Sequence, residues 1–416
     1  MRNRAMPADW PLMALALTLT AFGIAMVYSA GQTDVPTYVA GLWRSQMVWF
    51  ALGLGAAYII SRMSVRLLEW ASWPVYIGAC AMLLILLFFG SGAGTAAGTK
   101  SWLSIGGVQL GQPSEFAKIA VVLMLARVLS GERKAPTSLL GLWKPAAIVL
   151  LPWLLIMAQP DLGTAIVFLG IFFAMLFWRG VPWPLLVMAA SPAVSLILAF
   201  GPGVWGAWFL MLLALVGWYR PAVLEGVVLV GANVAMGVVA PVLWERLNPY
   251  QQRRLLVFLD PSSDPRASGY HVIQSQVAVG SGGLFGKGFT DGSQKRLAFL
   301  PEQHTDFIFP VVGEELGFIG ISIALGLFLM FFLRTVRIST RAATPFASLV
   351  AFGLAAAWFT HVIVNMGMTI GLMPITGIPL PFFSYGGSFM LATWMGVGVL
   401  ALISSEGRGL ADGITR

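Results

Sequence analysis

Several short stretches of this chain place charged or aromatic residues at spacings that could do chemistry. In GQPSEFAKIA, Glu115 and Lys118 stand three apart behind a proline suited to the first turn of a helix, so one helix face would carry both charges. Such a pair either fixes a short helix or serves a reaction. In LPEQHTDFIFP, Asp306 stands where a polar segment meets a long apolar run. It either caps that helix or presents a carboxylate near a membrane surface. Glu314 and Glu315 would lie roughly 12–14 Å further along the same helix, at 1.5 Å per residue. Charge at that depth calls for a cavity or a basic partner. Asp161 in AQPDLGTA opens another apolar run, where a helix cap is the modest expectation. In SQVAVGSGGLFGKGFTDGSQ, glycines would let backbone amides approach an anion and Lys287 would add charge, although the spacing is not that of a Walker phosphate loop. Trp102 in TKSWLSIGG would anchor at the bilayer interface or stack on a sugar or lipid.

The elements that must hold these residues follow from composition. Of 416 residues, 58% are hydrophobic and only 10% charged, where a soluble domain carries roughly 25%. Too few charges remain to build a water-facing surface, so lipid must be the solvent. Apolar segments run almost end to end without a linker-like stretch, which predicts one all-α polytopic membrane domain over residues 1–416. A helix needs about 20 mainly apolar residues to cross the hydrocarbon. Spans are expected near 10–30, 43–61, 74–90, 112–130, 144–158, 162–178, 183–200, 203–219, 221–244, 307–333, 346–364 and 382–403. The first is long enough to span and is read as a retained helix, not a cleaved signal.

With about twelve spans, Lys and Arg in the short connections alternate consistently. Both termini then face the cytoplasm, and segment 91–111 and a large polar loop, 245–306, face outward. The formal charge of +8 is the ordinary product of that bias and does not call for nucleic acid. A single Cys80 allows no intrachain disulfide, and no zinc-ligand spacing occurs. Charge is concentrated in one place. Asp260, Asp264, Asp291, Glu302, Asp306, Glu314 and Glu315 are joined there by Arg246, Arg253, Arg254, Arg266, Lys287, Lys295 and Arg296.

Five ordered blocks from residue 100 to 388 carry a resemblance: KSWLSIGG with QPSEFAK, QPDLGTA, LDPSSDPRASGYHVIQSQVAVGSGGLFGKG, FLPEQHTDFIFPVVGEELG, and NMGMTIGLMPITGIPLPFFSYGGS. In this order they resemble the RodA and FtsW family of shape, elongation, division and sporulation proteins. The wording MTIGLMPITGIPLPF is closer to the elongation member, RodA, than to the division member. The resemblance implies a bacterial inner-membrane glycosyltransferase with a periplasmic active site, polymerising lipid II during cell elongation and shape maintenance. Its partners would be lipid II, a class B penicillin-binding protein and other elongation-complex membrane proteins. Asp306 matches the family's essential loop aspartate, and Trp102, Glu115 and Lys118 match positions the family relies on. The family core has ten spans, so 183–244 would hold two extra helices.

The chemistry so implied inverts an anomeric carbon: a base is needed at the acceptor hydroxyl and positive charge at the departing diphosphate. Asp306 suits the first role. For the second, Lys118, Arg253, Arg254 and Lys287 compete with a divalent cation such as Mg or Mn held by carboxylates, and sequence leaves that choice open. A lipid II flippase and a membrane scaffold for cell-wall proteins are the alternative functions.

Overall fold

A computed structural model describes residues 9–34, 37–92, 100–105, 108–247, 252, 256, 258, 268–300 and 302–414. The protein is built of helices: α1 (Trp10–Ala30), α2 (Leu42–Ser61), α3 (Val65–Phe89), α4 (Pro113–Gly131), α5 (Trp143–Ala158), α6 (Leu162–Arg179), α7 (Trp183–Leu198), α8 (Pro202–Tyr219), α9 (Val223–Arg246), α10 (Ser268–Ser281), α11 (Ser293–Arg296), α12 (Ile308–Thr340), α13 (Pro345–Thr369) and α14 (Gly387–Ile414). Helices lie at all twelve expected places. Nine of those described are long and apolar enough to cross a membrane, which makes this a multi-pass membrane protein. α2 and α4 are less apolar, and α7 has 16 residues.

Hydrocarbon offers no hydrogen bonds, so a spanning chain must satisfy its backbone internally and helices are the local solution. Their ends follow ordinary capping chemistry. Asp9, Ser64, Asp161 and Thr344 accept backbone N–H bonds at the starts of α1, α3, α6 and α13. α13 and α14 are central and buried along most of their length, whereas α8 is almost wholly exposed. α14 packs closely along α2, where Gly398 lies against the Ala57 backbone with no room for a Cβ. The extra segment 183–244 resolves into α7, α8 and α9. A buried polar network joins the three: Ser195 donates to Asn233 Oδ1 at 2.6 Å, Asn233 to Ser191 at 2.8 Å, and Trp208 to Ser195 at 3.1 Å.

The expected outer segment near 91–111 contains three short antiparallel strands, β1 (Gly90–Ser91), β2 (Trp102–Ile105) and β3 (Val108–Gly111), with Trp102 opposite Ser91. Nor is the loop 245–306 wholly irregular, for it contains α10 and α11. Buried Ser275 on α10 donates to the Thr369 carbonyl at 2.6 Å, which ties the loop to the end of α13.

Glu314 and Glu315 lie about two turns along α12, as expected, but the helix breaks just beyond them at Gly317 (φ 63°, ψ −161°). A Cβ at this position would collide with the Gly286 amide, so both the left-handed backbone and the close approach require glycine. The stretch before the break is zipped to the glycine-rich loop. Lys287 N–H donates to the Glu314 carbonyl and Gly288 N–H to the Glu315 carbonyl, both at 3.0 Å. Each acid has a cation: Glu314 pairs with Lys287 at 2.8 Å and Glu315 with Lys295 at 2.6 Å. Lys295 and Glu315 are fully buried, and Ser29 at the end of α1 bonds to both.

Removing one member of a buried pair leaves an uncompensated charge. Lys295→Met is therefore expected to destabilise the protein by about 3–5 kcal/mol, and adding Glu315→Leu should restore most of the loss. Thermal unfolding of the purified protein in detergent measures both. A single variant that melts with the parent would show the pair to be dispensable.

Candidate active site

A polar cavity of about 390 Å³ is bounded by the ends of several helices and the strand hairpin. Four of its lining residues are acids: Glu115, Asp161, Glu302 and Asp306. Trp102, Tyr38, Trp49 and Tyr385 add aromatic surface. No Lys or Arg stands among the described lining residues.

Asp306 is only 6% exposed, and its place is set by the backbone around it. Asn365 of α13 donates to the Asp306 carbonyl at 2.9 Å and to the Ile378 carbonyl at 2.8 Å. Ser384 donates to the Thr305 carbonyl at 2.6 Å, Tyr385 N–H to the His304 carbonyl at 2.8 Å, and Gln303 to the Ala30 carbonyl at 2.8 Å. The segment 303–306 is thus held from three sides. Buried Gln46 of α2 fixes the second of these, donating to the Ser384 carbonyl at 2.9 Å and accepting from Gly386 N–H at 3.2 Å.

Glu115 and Lys118 form the ion pair expected of them, at 2.7 Å and both buried. Lys118 also meets His361 Nε2 at 2.7 Å, while His361 Nδ1 lies 2.9 Å from the Pro379 carbonyl. A carbonyl can only accept, so Nδ1 carries the ring proton and Nε2 accepts from the lysine. The three charged or polar groups line a smaller pocket that shares Glu115 and Phe389 with the main cavity. Lys118 therefore stands behind the cavity wall. Asp161 caps α6, accepting from Thr164 N–H at 3.0 Å and the Thr164 hydroxyl at 2.9 Å, and it also accepts from Gln112 at 3.0 Å. The cap expected from sequence is present, and the same carboxylate faces the cavity.

The structure thus brings Trp102, Glu115, Asp161 and Asp306 to one cavity with Lys118 beside it. Lys287, Glu314 and Glu315 are not lining residues and belong to the ion pairs near Gly317. Arg253 and Arg254 lie outside the described residues. Among the described residues, no three His, Cys, Asp or Glu side chains come together as a ligand set for a metal ion. Residues that sequence reasoning passed over are Tyr38, His304, His361, Asn365 and Tyr385. The available signal was rarity: the chain has three histidines, and His361 and Asn365 are polar residues inside an apolar span, where such groups are commonly functional.

His304 packs edge-on to Tyr38 with ring centroids 5.7 Å apart and lies near Tyr385. Burial pushes its imidazole down to about 4 from an ordinary 6.5. The unfolded chain then takes up this proton first on acidification, so His304 lowers stability as pH falls from about 6.5 to about 4. Burial pushes Glu302 up, which has the opposite sign on the other side of its ordinary 4.5. His304→Phe is expected to flatten the acid-side loss relative to the parent when denaturant unfolding is followed across that window. An unchanged slope would show that the imidazole is not held neutral.

Comparisons with known proteins agree with this architecture. The family model for cell cycle proteins of the FtsW, RodA and SpoVE type matches residues 9–211 and 202–409. The peptidoglycan glycosyltransferase RodA of Treponema pallidum is 36% identical, with 96% of this chain and 98% of that protein aligned. The peptidoglycan glycosyltransferase MrdB of Escherichia coli K12 is 35% identical, with 98% and 96% aligned. Among solved structures, a chain of a peptidoglycan synthase complex that coordinates polymerization and crosslinking superposes with a TM-score of 0.71 at 30% identity, over 96% of this chain and 98% of that one. The rod shape determining protein RodA of Thermus thermophilus superposes with a TM-score of 0.62 at 28% identity, over 97% and 98%. With nearly its whole length matched in this way, the chain belongs to the FtsW, RodA and SpoVE family of cell cycle proteins.

Proposed function

We propose that this protein is a peptidoglycan glycosyltransferase of the elongation type, polymerising lipid II at the outer face of the bacterial inner membrane. The carrying observation is the placement of Asp306 in a cavity that combines carboxylates with aromatic rings. Carboxylates accept hydrogen bonds from sugar hydroxyls, and aromatic faces offer apolar area to a sugar ring. At about 390 Å³ the cavity falls within the range of small-ligand clefts, about 300–1,000 Å³. Relatives named as glycosyltransferases along nearly their whole length support the same activity.

In the proposed reaction Asp306 accepts the proton of the acceptor sugar's 4-hydroxyl. That oxygen forms a bond to the donor's anomeric carbon as the bond from that carbon to the diphosphate oxygen breaks, and the electron pair leaves with the lipid diphosphate. Attack from the opposite face converts an α-linked donor into a β-linked product. Asp306 returns its proton to solvent. The clamped segment 303–306 keeps the base oriented, so little rearrangement is needed at the moment of transfer. Trp102 supplies a stacking surface, Asp161 and Glu302 accept from hydroxyls, and Glu115 with His361 orients Lys118. Arg253 and Arg254 carry the countercharge for the diphosphate, Lys118 stands behind the wall as the partner of Glu115, and Lys287 anchors the loop through Glu314.

In this arrangement the chain is a single membrane domain of twelve spans, with both termini in the cytoplasm. Its partner is a class B penicillin-binding protein, a pairing supported by the similarity to a chain of a synthase complex that joins polymerization to crosslinking. Asp306→Asn should fold and insert like the parent yet lose about 10²–10⁴-fold in rate, the usual contribution of a placed base. Purified protein incubated with fluorescent lipid II, with and without the penicillin-binding partner, provides the measurement. Glycan ladders from the variant at the parent's rate would remove the base assignment. Lipid transfer between leaflets without polymer from the parent would favour a flippase.

A further inference from the structure

A second cavity, of about 360 Å³, lies at the opposite end of the bundle from Asp306. Its position follows from the helices that make it. α12 begins beside Asp306 and ends with Arg334, Arg337 and Arg341; α14 begins beside the first cavity at Gly387 and carries Ser404 and Arg408 near its other end. From the break at Gly317 to Arg334 is roughly 25 Å of helix. All four arginines line the second cavity with Ser404.

The charges there do not cancel. Asp9, the buried cap of α1, accepts from Arg334 Nε at 2.9 Å and Nη2 at 2.8 Å, and from the Ser404 hydroxyl. Arg408 approaches the same carboxylate at 3.5 Å. One acid thus serves two of the four arginines. Arg337 and Arg341 have no acidic partner among the described residues. Arginines that merely flank a span point separately into water, but these come from two helices and enclose one space. Guanidinium forks match phosphate oxygens two at a time. Just inside this end, Leu329 and Leu333 on α12 are exposed apolar residues, a surface for acyl chains next to a site for an anion.

We infer that this cavity holds the phosphodiester headgroup of an anionic phospholipid, with the tails along the apolar flank of α12. Basic pockets between spanning helices are suited to such headgroups. Arg337 and Arg341 would take the phosphate, while Arg334 and Arg408 stay partly committed to Asp9.

The test is lipid retention by the purified full chain, read by native mass spectrometry with phosphatidylglycerol or phosphatidylcholine of matched chain length. Phosphatidylglycerol should be retained preferentially, and R337Q/R341Q should weaken it about thirtyfold, at about 1 kcal/mol for each arginine. R337K/R341K keeps both charges and should retain more lipid than the glutamine variant. Equal retention of both lipids by the parent, or parent-like retention by R337Q/R341Q, would overturn the assignment. Should the glutamine variant fail to fold, salt on the parent decides instead. Affinity falling with ionic strength supports the site, and salt-independent affinity refutes it. Glycerophosphoglycerol, the headgroup without tails, separates the two sources of phosphate: if it displaces the lipid at matched concentration, the ligand is a soluble phosphate ester and the lipid assignment fails.

Discussion

A charge inside hydrocarbon must find its opposite within the protein, and in this chain the pairs that meet that requirement also join elements. Lys295 with Glu315 and Ser29 connects α11, the first part of α12 and the end of α1. Lys118 with Glu115 and His361 connects α4 to α13. Asp9 with Arg334 and Arg408 connects the start of α1 to the far ends of α12 and α14. Burying such groups costs energy, and an apolar replacement of the same shape can be as stable. Their structural effect is register: each fixes how far one helix slides along another, which apolar side chains in lipid specify weakly.

Asp306, the carboxylate proposed to react, depends on this register at one remove. Asp306 sits on a short turn rather than on a helix, and turns are positioned by what they bond to. Asn365, Ser384 and Gln303 hold the backbone on either side of it. Gln303 bonds to the last residue of α1, whose neighbour Ser29 belongs to the Lys295–Glu315 pair. Rigidity in the loop therefore comes from buried polar bonds to helix ends. The aromatic residues around the cavity are fixed by ordinary packing, with His304 between Tyr38 and Tyr385.

Much of this was legible in the sequence because lipid imposes strong rules. Apolar run length located the helices, including the three in 183–244, and the spacing of Glu115 and Lys118 foretold their pair. Asp161 was read as a cap and is one. What failed was local backbone: Gly317 looks like any other glycine in an apolar stretch, so nothing announced that the helix carrying Glu314 and Glu315 would break there. Lys287 looked like an anion site, because its glycine neighbours suit one, but Glu314 lay within reach after that break. Contacts across long sequence separations were invisible. No spacing rule links Lys118 to His361 or Gln46 to Ser384. Those partners depend on which helices are neighbours, and periodicity does not report that.

The lining of the main cavity has a pharmacological corollary. Its described walls carry four carboxylates, of which Glu115 is paired with Lys118, and no lysine or arginine, so acids outnumber bases there even though a diphosphate links sugar to lipid in the proposed substrate. A phosphate mimic aimed at this hollow would meet like charge. A better inhibitor scaffold is a protonated amine on a sugar-like or flat aromatic frame, able to salt-bridge an acid while stacking on Trp102 or Tyr385. Azasugars are one chemical class with that character.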